Sequence, residues 1–157
     1  MKIIVMTVGK TRDASLRSAM ERYLGRIARY APFEYVELAE ARRGGRMSKE
    51  LQKAAECKAM MARIAPGDRV VLMDERGRGL SSREFAASIG DALGSLPRNL
   101  IYVIGGPYGF SPEMYARANG MIALSRMTLT HEMARLVLVE QVYRAMTILR
   151  GEPYHHG

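Results

Sequence analysis

The chain has 157 residues, 48% of them apolar and 25% charged, which describes one globular domain over residues 1–157 and excludes a disordered or fibrous chain. No apolar run is long enough to span a bilayer, and the apolar start at Met1 is followed by no small-residue cleavage site of a signal peptide. Its 24 basic and 16 acidic residues leave a net charge of +8, an excess that steers a protein to RNA, DNA or an anionic membrane without choosing among them.

Against simple solubility charge, nucleic acid is the favoured reading. The single cysteine, Cys57, excludes an internal disulfide framework and fits a reducing cytoplasm.

Lys2 to Val8 reads as a first strand, ended by Gly9 before Asp13 or Ser15 opens a helix. Leu16, Met20, Tyr23, Leu24, Ile27 and Tyr30 then recur at helical spacing and predict a core-facing stripe. Lys10, Arg12, Arg17, Arg22, Arg26 and Arg29 occupy much of the other side, as a solvated surface or part of an RNA footprint. Ala31-Pro32 stops the helix, and Phe33 to Leu38 reads as a second strand.

Arg42-Arg43-Gly44-Gly45-Arg46 combines three guanidinium groups with two flexible residues in an expected loop. Phosphate is its natural guest, since arginine donates to phosphate oxygens in pairs, although solvated charged loops are common. Ser48 can cap a helix carrying Leu51, Ala54, Ala55, Met60, Met61 and Ile64, which Pro66-Gly67 ends. Cys57 lies inside it without a nearby histidine, which favours an inert buried thiol over a nucleophile.

Asp68 to Asp74 predicts a third strand emptying into a Glu75 to Gly79 loop, a first candidate for ligand binding. Ser81-x-x-Glu84 is a capping-box pattern for the next helix, with Phe85, Ile89 and Leu93 on one face and Pro97 as its end. Leu100 to Ile104 is almost continuously apolar and β-branched, which suits a strand buried on both faces of a parallel sheet.

That strand breaks into Gly105, Gly106 and Gly109, which remove Cβ atoms where something needs to approach the backbone closely. Ser111, Pro112 and Glu113 then cap and open a helix. A loop at the carboxyl end of a central strand is where open α/β sheets place ligands, although a plain tight turn fits the same residues.

Asn119-Gly120 stops this helix, Met121 to Ser125 gives a short fifth strand, and Arg126 to Thr130 makes the next loop. His131 to Leu149 is the longest helical pattern. Its apolar surface implies burial on more than the sheet, at a dimer interface or as the central helix of a compact monomer. After Gly151 and Pro153, Tyr154-His155-His156-Gly157 forms a tail that frays unless docked in a site.

The alternation of strand and helix predicts an α/β class, with the loops after Asp74, Ile104 and Ser125 as walls of one pocket. No Walker-type phosphate loop, no dinucleotide fingerprint after the first strand and no nucleophile elbow is present. His131, His155 and His156 lack a Cys or carboxylate cluster at ligand spacing, so no metal site is expected.

Four stretches together resemble the RlmH family, the 23S rRNA pseudouridine N3-methyltransferases of the SPOUT superfamily. They are Tyr102-Val-Ile-Gly-Gly-Pro-Tyr-Gly-Phe-Ser-Pro112, Leu124-Ser-Arg-Met-Thr-Leu-Thr-His131, Val139-Glu-Gln-Val-Tyr-Arg-Ala145 and Pro153-Tyr-His-His156. The likeness extends over essentially the whole chain. It implies a SPOUT-type α/β knot, that is, a parallel-rich sheet with helices on both faces and a C-terminal trefoil knot, which topology rules alone would not predict.

The resemblance further implies S-adenosylmethionine as methyl donor, N3 of a pseudouridine in a 23S rRNA stem-loop as acceptor, the assembled ribosome as context, a homodimer, a cytoplasmic location and no membrane. It places cofactor contacts on Met73, Gly105, Gly106, Ser125, Arg126, Met127, Thr128, Leu129 and Thr130. Relatives commonly carry Leu-Pro-His where this chain has Leu129-Thr130-His131, a change that loosens the loop but spares backbone contacts.

Methyl transfer from a sulfonium needs in-line placement of the nitrogen and removal of its proton. The resemblance implies Arg144, Tyr154 and His155 near the transfer site, with the tail supplied by the partner subunit. Arg144 would orient the base or favour its anion, and His155 or Tyr154 would position it or accept the proton. The alternative is a non-enzymatic RNA- or ribosome-binding factor.

Overall fold

Apolar runs that alternate between two buried faces form the centre of the molecule: β1 (Ile3–Val8) and β4 (Leu100–Ile104) lie side by side, parallel. The computed structural model describes residues 1–41, 47–95 and 98–157. It adds β2 (Phe33–Leu38), β3 (Arg69–Gly79) and β5 (Gly120–Ala123), giving a five-stranded sheet in the order β2-β1-β4-β3-β5 with every pairing parallel. The Arg42 to Arg46 loop and the Pro97 helix end expected from sequence lie outside the described residues.

Parallel neighbours need crossover helices, and these cover both faces of the sheet. On one face Ile3, Val5, Leu100 and Tyr102 pack against α1 (Ala14–Ile27), α3 (Ser82–Ser95) and α5 (His131–Leu149). On the other, Met6, Val8, Ile101 and Val103 meet Cys57 and Met60 of α2 (Lys49–Met61) and Met114 of α4 (Pro112–Arg117). Cys57 is buried, as an inert thiol would be. Each fully buried Ile or Val contributes about 1.5–3 kcal/mol by leaving water.

The helix starts follow their caps. Asp13 accepts from the amides of Ser15 and Leu16, while Ser48, Ser111 and Thr130 accept from Leu51, Met114 and Met133. Such a cap contributes ~1 kcal/mol to its helix.

The structure corrects the sequence expectation at β3, which does not empty into a loop at Asp74. It runs on to Gly79, and Met73 and Arg78 both pair with Ile122 across a bulge. Gly77 makes this possible, because a Cβ there would sit 2.6 Å from the Ile122 amide nitrogen. The polar sequence Glu-Arg-Gly-Arg-Gly carries no apolar alternation, so nothing in it signals a strand.

α5 takes the central place. It packs between α1 and α3 over β4, and Leu138, Val139, Val142 and Ala145 are buried within this one chain. Most of its apolar surface is therefore buried inside the protomer, while Met133 and Leu149 stay 37% and 43% exposed.

Gly151 (φ +69°) ends α5 and turns the tail back along it. The tail does not fray: Tyr30 Oη donates to Glu152 Oε2 at 2.6 Å, and Arg83 Nε donates to the Gly157 carbonyl at 2.6 Å.

Candidate functional site

The bulged middle of β3 and the loops that follow β4 and β5 open into one cleft of about 670 Å³, closed at its far side by the first turn of α5. Met73, Gly105, Gly106, Ser125, Arg126, Met127, Thr128 and Leu129 all line it. Thr130 stands outside the lining as the cap of α5, with Oγ1 accepting from Met133. Ser125 Oγ accepts from the Met127 amide at 2.9 Å and folds the loop, leaving the Met127 side chain 80% exposed.

At the two glycines the geometry differs from the reason read in the sequence. A Cβ on Gly106 would meet Glu56 Oε1 at 2.3 Å, and one on Gly105 would meet the Phe110 ring at 3.2 Å. The absent side chains therefore make room for other parts of the chain. Glu56 is 3% exposed and takes a hydrogen bond from Gln52 Nε2 at 3.1 Å, while its neighbour Cys57 accepts from the Ser111 amide through Sγ. α2 thus supports the glycine loop from below, and Gly109 (φ +80°) closes it with a bond to the Gly106 carbonyl.

The cleft also holds a group the sequence reading did not single out. Tyr115 Oη donates to Asp74 Oδ2 at 2.5 Å, the Arg76 amide donates to Oδ1 at 2.9 Å, and the Arg76 guanidinium lies 4.8 Å from the Tyr115 ring centre. Burial works to raise the Asp74 carboxyl, but donation from Tyr115 and Arg76 outweighs it and holds the group below its usual range. Burial and this same carboxylate push the Tyr115 phenol up. Asp74 was visible as an acid at a strand end; its pairing with a tyrosine of α4 had no sequence signal.

Arg144, Tyr154 and His155 form a second cluster, on the C-terminal half of α5. Arg144 donates to Glu140 Oε1 from Nη2 (2.6 Å) and Nε (3.1 Å), and Tyr154 Oη donates to the same oxygen at 3.0 Å. The Arg144 guanidinium lies 4.7 Å from the Tyr154 ring centre, and Tyr143 packs edge-on to that ring. Glu140 also escaped the sequence reading, although a Glu four residues before an Arg is the favoured helical ion-pair spacing.

Arg144 Nη1 lies 3.0 Å from His155 Nδ1. A guanidinium only donates, so Nδ1 accepts and the neutral ring carries its hydrogen on Nε2. Desolvation and the nearby Arg144 and Arg83 charges push the imidazole pKa down. Burial, with hydrogen bonding to Tyr23 and Glu140, pushes the Tyr154 phenol up.

The two groups do not meet within one chain. His131 lines the cleft and Arg144 lies thirteen residues further along α5, about 20 Å at 1.5 Å per residue.

A family model described as a predicted SPOUT methyltransferase matches residues 1–155. A relative from Porphyromonas gingivalis, "Ribosomal RNA large subunit methyltransferase H", is 47% identical over 99% of this chain and 99% of its own. One of the same name from Geobacter metallireducens is 45% identical over the full length of both. The crystal structure of a probable rRNA-methyltransferase from Porphyromonas gingivalis superposes with a TM-score of 0.50 at 17% identity, covering 95% of this chain and 70% of that one, a likeness of fold.

Proposed function

The chain belongs to the SPOUT methyltransferase family and, within it, to the ribosomal RNA large subunit methyltransferase H family, and on that premise we propose that it methylates N3 of a pseudouridine in a 23S rRNA stem-loop, using S-adenosylmethionine. The observation that carries the reading is the cleft between the bulge of β3 and the loops after β4 and β5.

The cleft fits that cofactor. A volume of about 670 Å³ is in the range of small-molecule sites, and Met73, Ile104, Phe110 and Leu129 give it apolar walls. Apart from the Met127 amide, the backbone groups of residues 126–129 make no hydrogen bond among the described residues. That leaves donors and acceptors for the edge of a planar heterocycle. S-adenosylmethionine, when bound, supplies the methyl group as an electrophilic sulfonium.

Met73, Gly105, Gly106 and residues 125–129 would hold it, with Thr130 fixing the loop end through its cap. Arg144, through its remaining N–H groups, and His155, through Nε2–H, are donors, whereas the single Tyr154 O–H is already given to Glu140. The two donors suit the carbonyl oxygens of a uracil ring that has lost its N3 proton to water, so His155 positions the base rather than taking up the proton. Glu140 holds Arg144 and Tyr154 in register through one oxygen.

Because the clusters stand about 20 Å apart along α5, the tail acts in a homodimer, over the partner's cleft. A C-terminal trefoil knot, a cytoplasmic location and the assembled ribosome as substrate complete the proposal. No helix among the described residues is long and apolar enough to cross a membrane.

Calorimetry with S-adenosylmethionine and transfer of radiolabelled methyl to ribosomes lacking the modification test it. Saturable binding and label at a single pseudouridine are expected. Absence of cofactor binding by a folded sample overturns the reading, and salt-sensitive rRNA binding without methyl incorporation would make the chain a non-enzymatic binding factor.

A further inference from the structure

A second cleft, of about 620 Å³, opens at the carboxyl ends of β1 and β2 and is lined by Gly9, Lys10, Arg12, Arg17, Glu37 and Glu40 among others. Lys10, Arg12 and Arg17 have no carboxylate within salt-bridge distance among the described residues. Glu37 is already engaged: its Oε2 accepts from Thr11 Oγ1 at 2.6 Å, from the Thr11 amide at 3.1 Å and from buried Arg135 at 3.2 Å.

The turn that carries these cations is clamped to the start of α5. Arg135 donates to the Val8 carbonyl (2.7 Å), the Gly9 carbonyl (2.9 Å) and Thr11 Oγ1 (2.9 Å). Glu132 Oε1 accepts from the amides of Arg12 (3.0 Å) and Asp13 (2.9 Å). His131 and Ala134, interleaved with them on the same helix, line the first cleft. The first two turns of α5 thus hold the turn that carries these cations and also line the first cleft.

We propose that Lys10 and Arg12 form a phosphate-binding shoulder beside the methyl-transfer cleft, seating the phosphodiester backbone of the RNA strand that presents the target base. The inference rests on the rRNA reading above and adds the place where the strand is held. The side chains do the binding, since the amides at the head of α1 are taken by Glu132 and Asp13. A rigid turn suits this task, because phosphate contacts fix register while carrying no sequence information.

The test pairs Lys10→Ala with Arg12→Ala and measures binding to large ribosomal subunits lacking the modification across a salt series. A control of equal charge loss, Lys58→Ala with Arg69→Ala, removes exposed cations outside both clefts. The shoulder variant is expected to bind about tenfold more weakly, with a log–log salt slope shallower by about 1 to 2. KM for the subunits should rise with kcat little changed, S-adenosylmethionine affinity and Tm should stay as in the parent, and Lys10→Arg should bind as the parent does.

An equal loss in the control, or an unchanged slope in the shoulder variant, overturns the proposal. Should the parent protein itself bind the subunits without salt dependence or transfer no methyl group, the rRNA reading is what fails.

Discussion

A Cβ on Gly106 would meet a carboxylate belonging to the chain itself, and this changes what a substitution there reports. Gly106→Ala places a methyl group against Glu56, which is buried and tethered to Gln52, and overpacking of this kind costs about 1–3 kcal/mol. The expected result is a lower Tm together with S-adenosylmethionine affinity about tenfold weaker. Adding Glu56→Ala removes the obstacle and should recover most of the affinity by calorimetry, a coupling only neighbouring residues produce. If close approach of the cofactor is what demands glycine, the double variant will bind as poorly as Gly106→Ala alone.

Asp74 permits a second test at this scale. Its pKa in the folded chain is depressed, so its contribution to stability is complete above the unfolded value near 4 and is lost as pH falls through the folded one. Asp74→Asn should lower Tm at neutral pH and flatten the fall of Tm on the acid side. A parallel fall in variant and parent would show that the Tyr115 and Arg76 contacts do not carry this stability.

Among the elements, α5 joins the two halves of the proposed site, since its first turns wall the cleft and its last turns carry Glu140 and Arg144. Glu140→Ala would leave Arg144 and Tyr154 without their shared acceptor. The expected outcome is a kcat lower by at least tenfold with S-adenosylmethionine affinity unchanged, read from single-turnover methyl transfer and calorimetry. If kcat is unaffected, the cluster is organised by the partner chain or by RNA instead.

The same element shows what sequence could and could not convey. Leu100 to Ile104 is readable as a doubly buried strand, and Asp13, Ser48 and Ser111 mark helix starts, because apolar periodicity and capping are local. The continuation of β3 past Asp74 depends on Gly77 clearing the backbone of β5, a contact between distant segments. The docking of the tail on Arg83 and Tyr30 is equally non-local. Residues of the cleft could be nominated one loop at a time, whereas Tyr115 with Asp74, and Glu56 beneath Gly106, required the packed chain.

For the whole molecule, the separation of the proposed cofactor cleft and the tail along a single helix is what the proposed homodimer rests on. A helix does not shorten, so a chain acting alone would have to carry its tail about 20 Å to reach its own cleft, away from contacts with Glu140, Arg83 and Tyr30. Two chains related by a twofold axis can each lend a tail to the other without moving either.

Mixed dimers distinguish these arrangements. One parent carries Arg144→Ala and the other Gly106→Trp, whose side chain is far too large for the space beside Glu56 and should abolish cofactor binding, so each is expected to be inactive as a homodimer. In a mixed dimer acting in trans, one site joins the intact cleft of the first chain to the intact tail of the second, and the other site holds both defects. After exchange at equal concentrations half the dimers are mixed, so activity should return to about one quarter of the parent protein's. If each tail serves its own cleft, no mixture regains activity, because every chain carries one defect of its own.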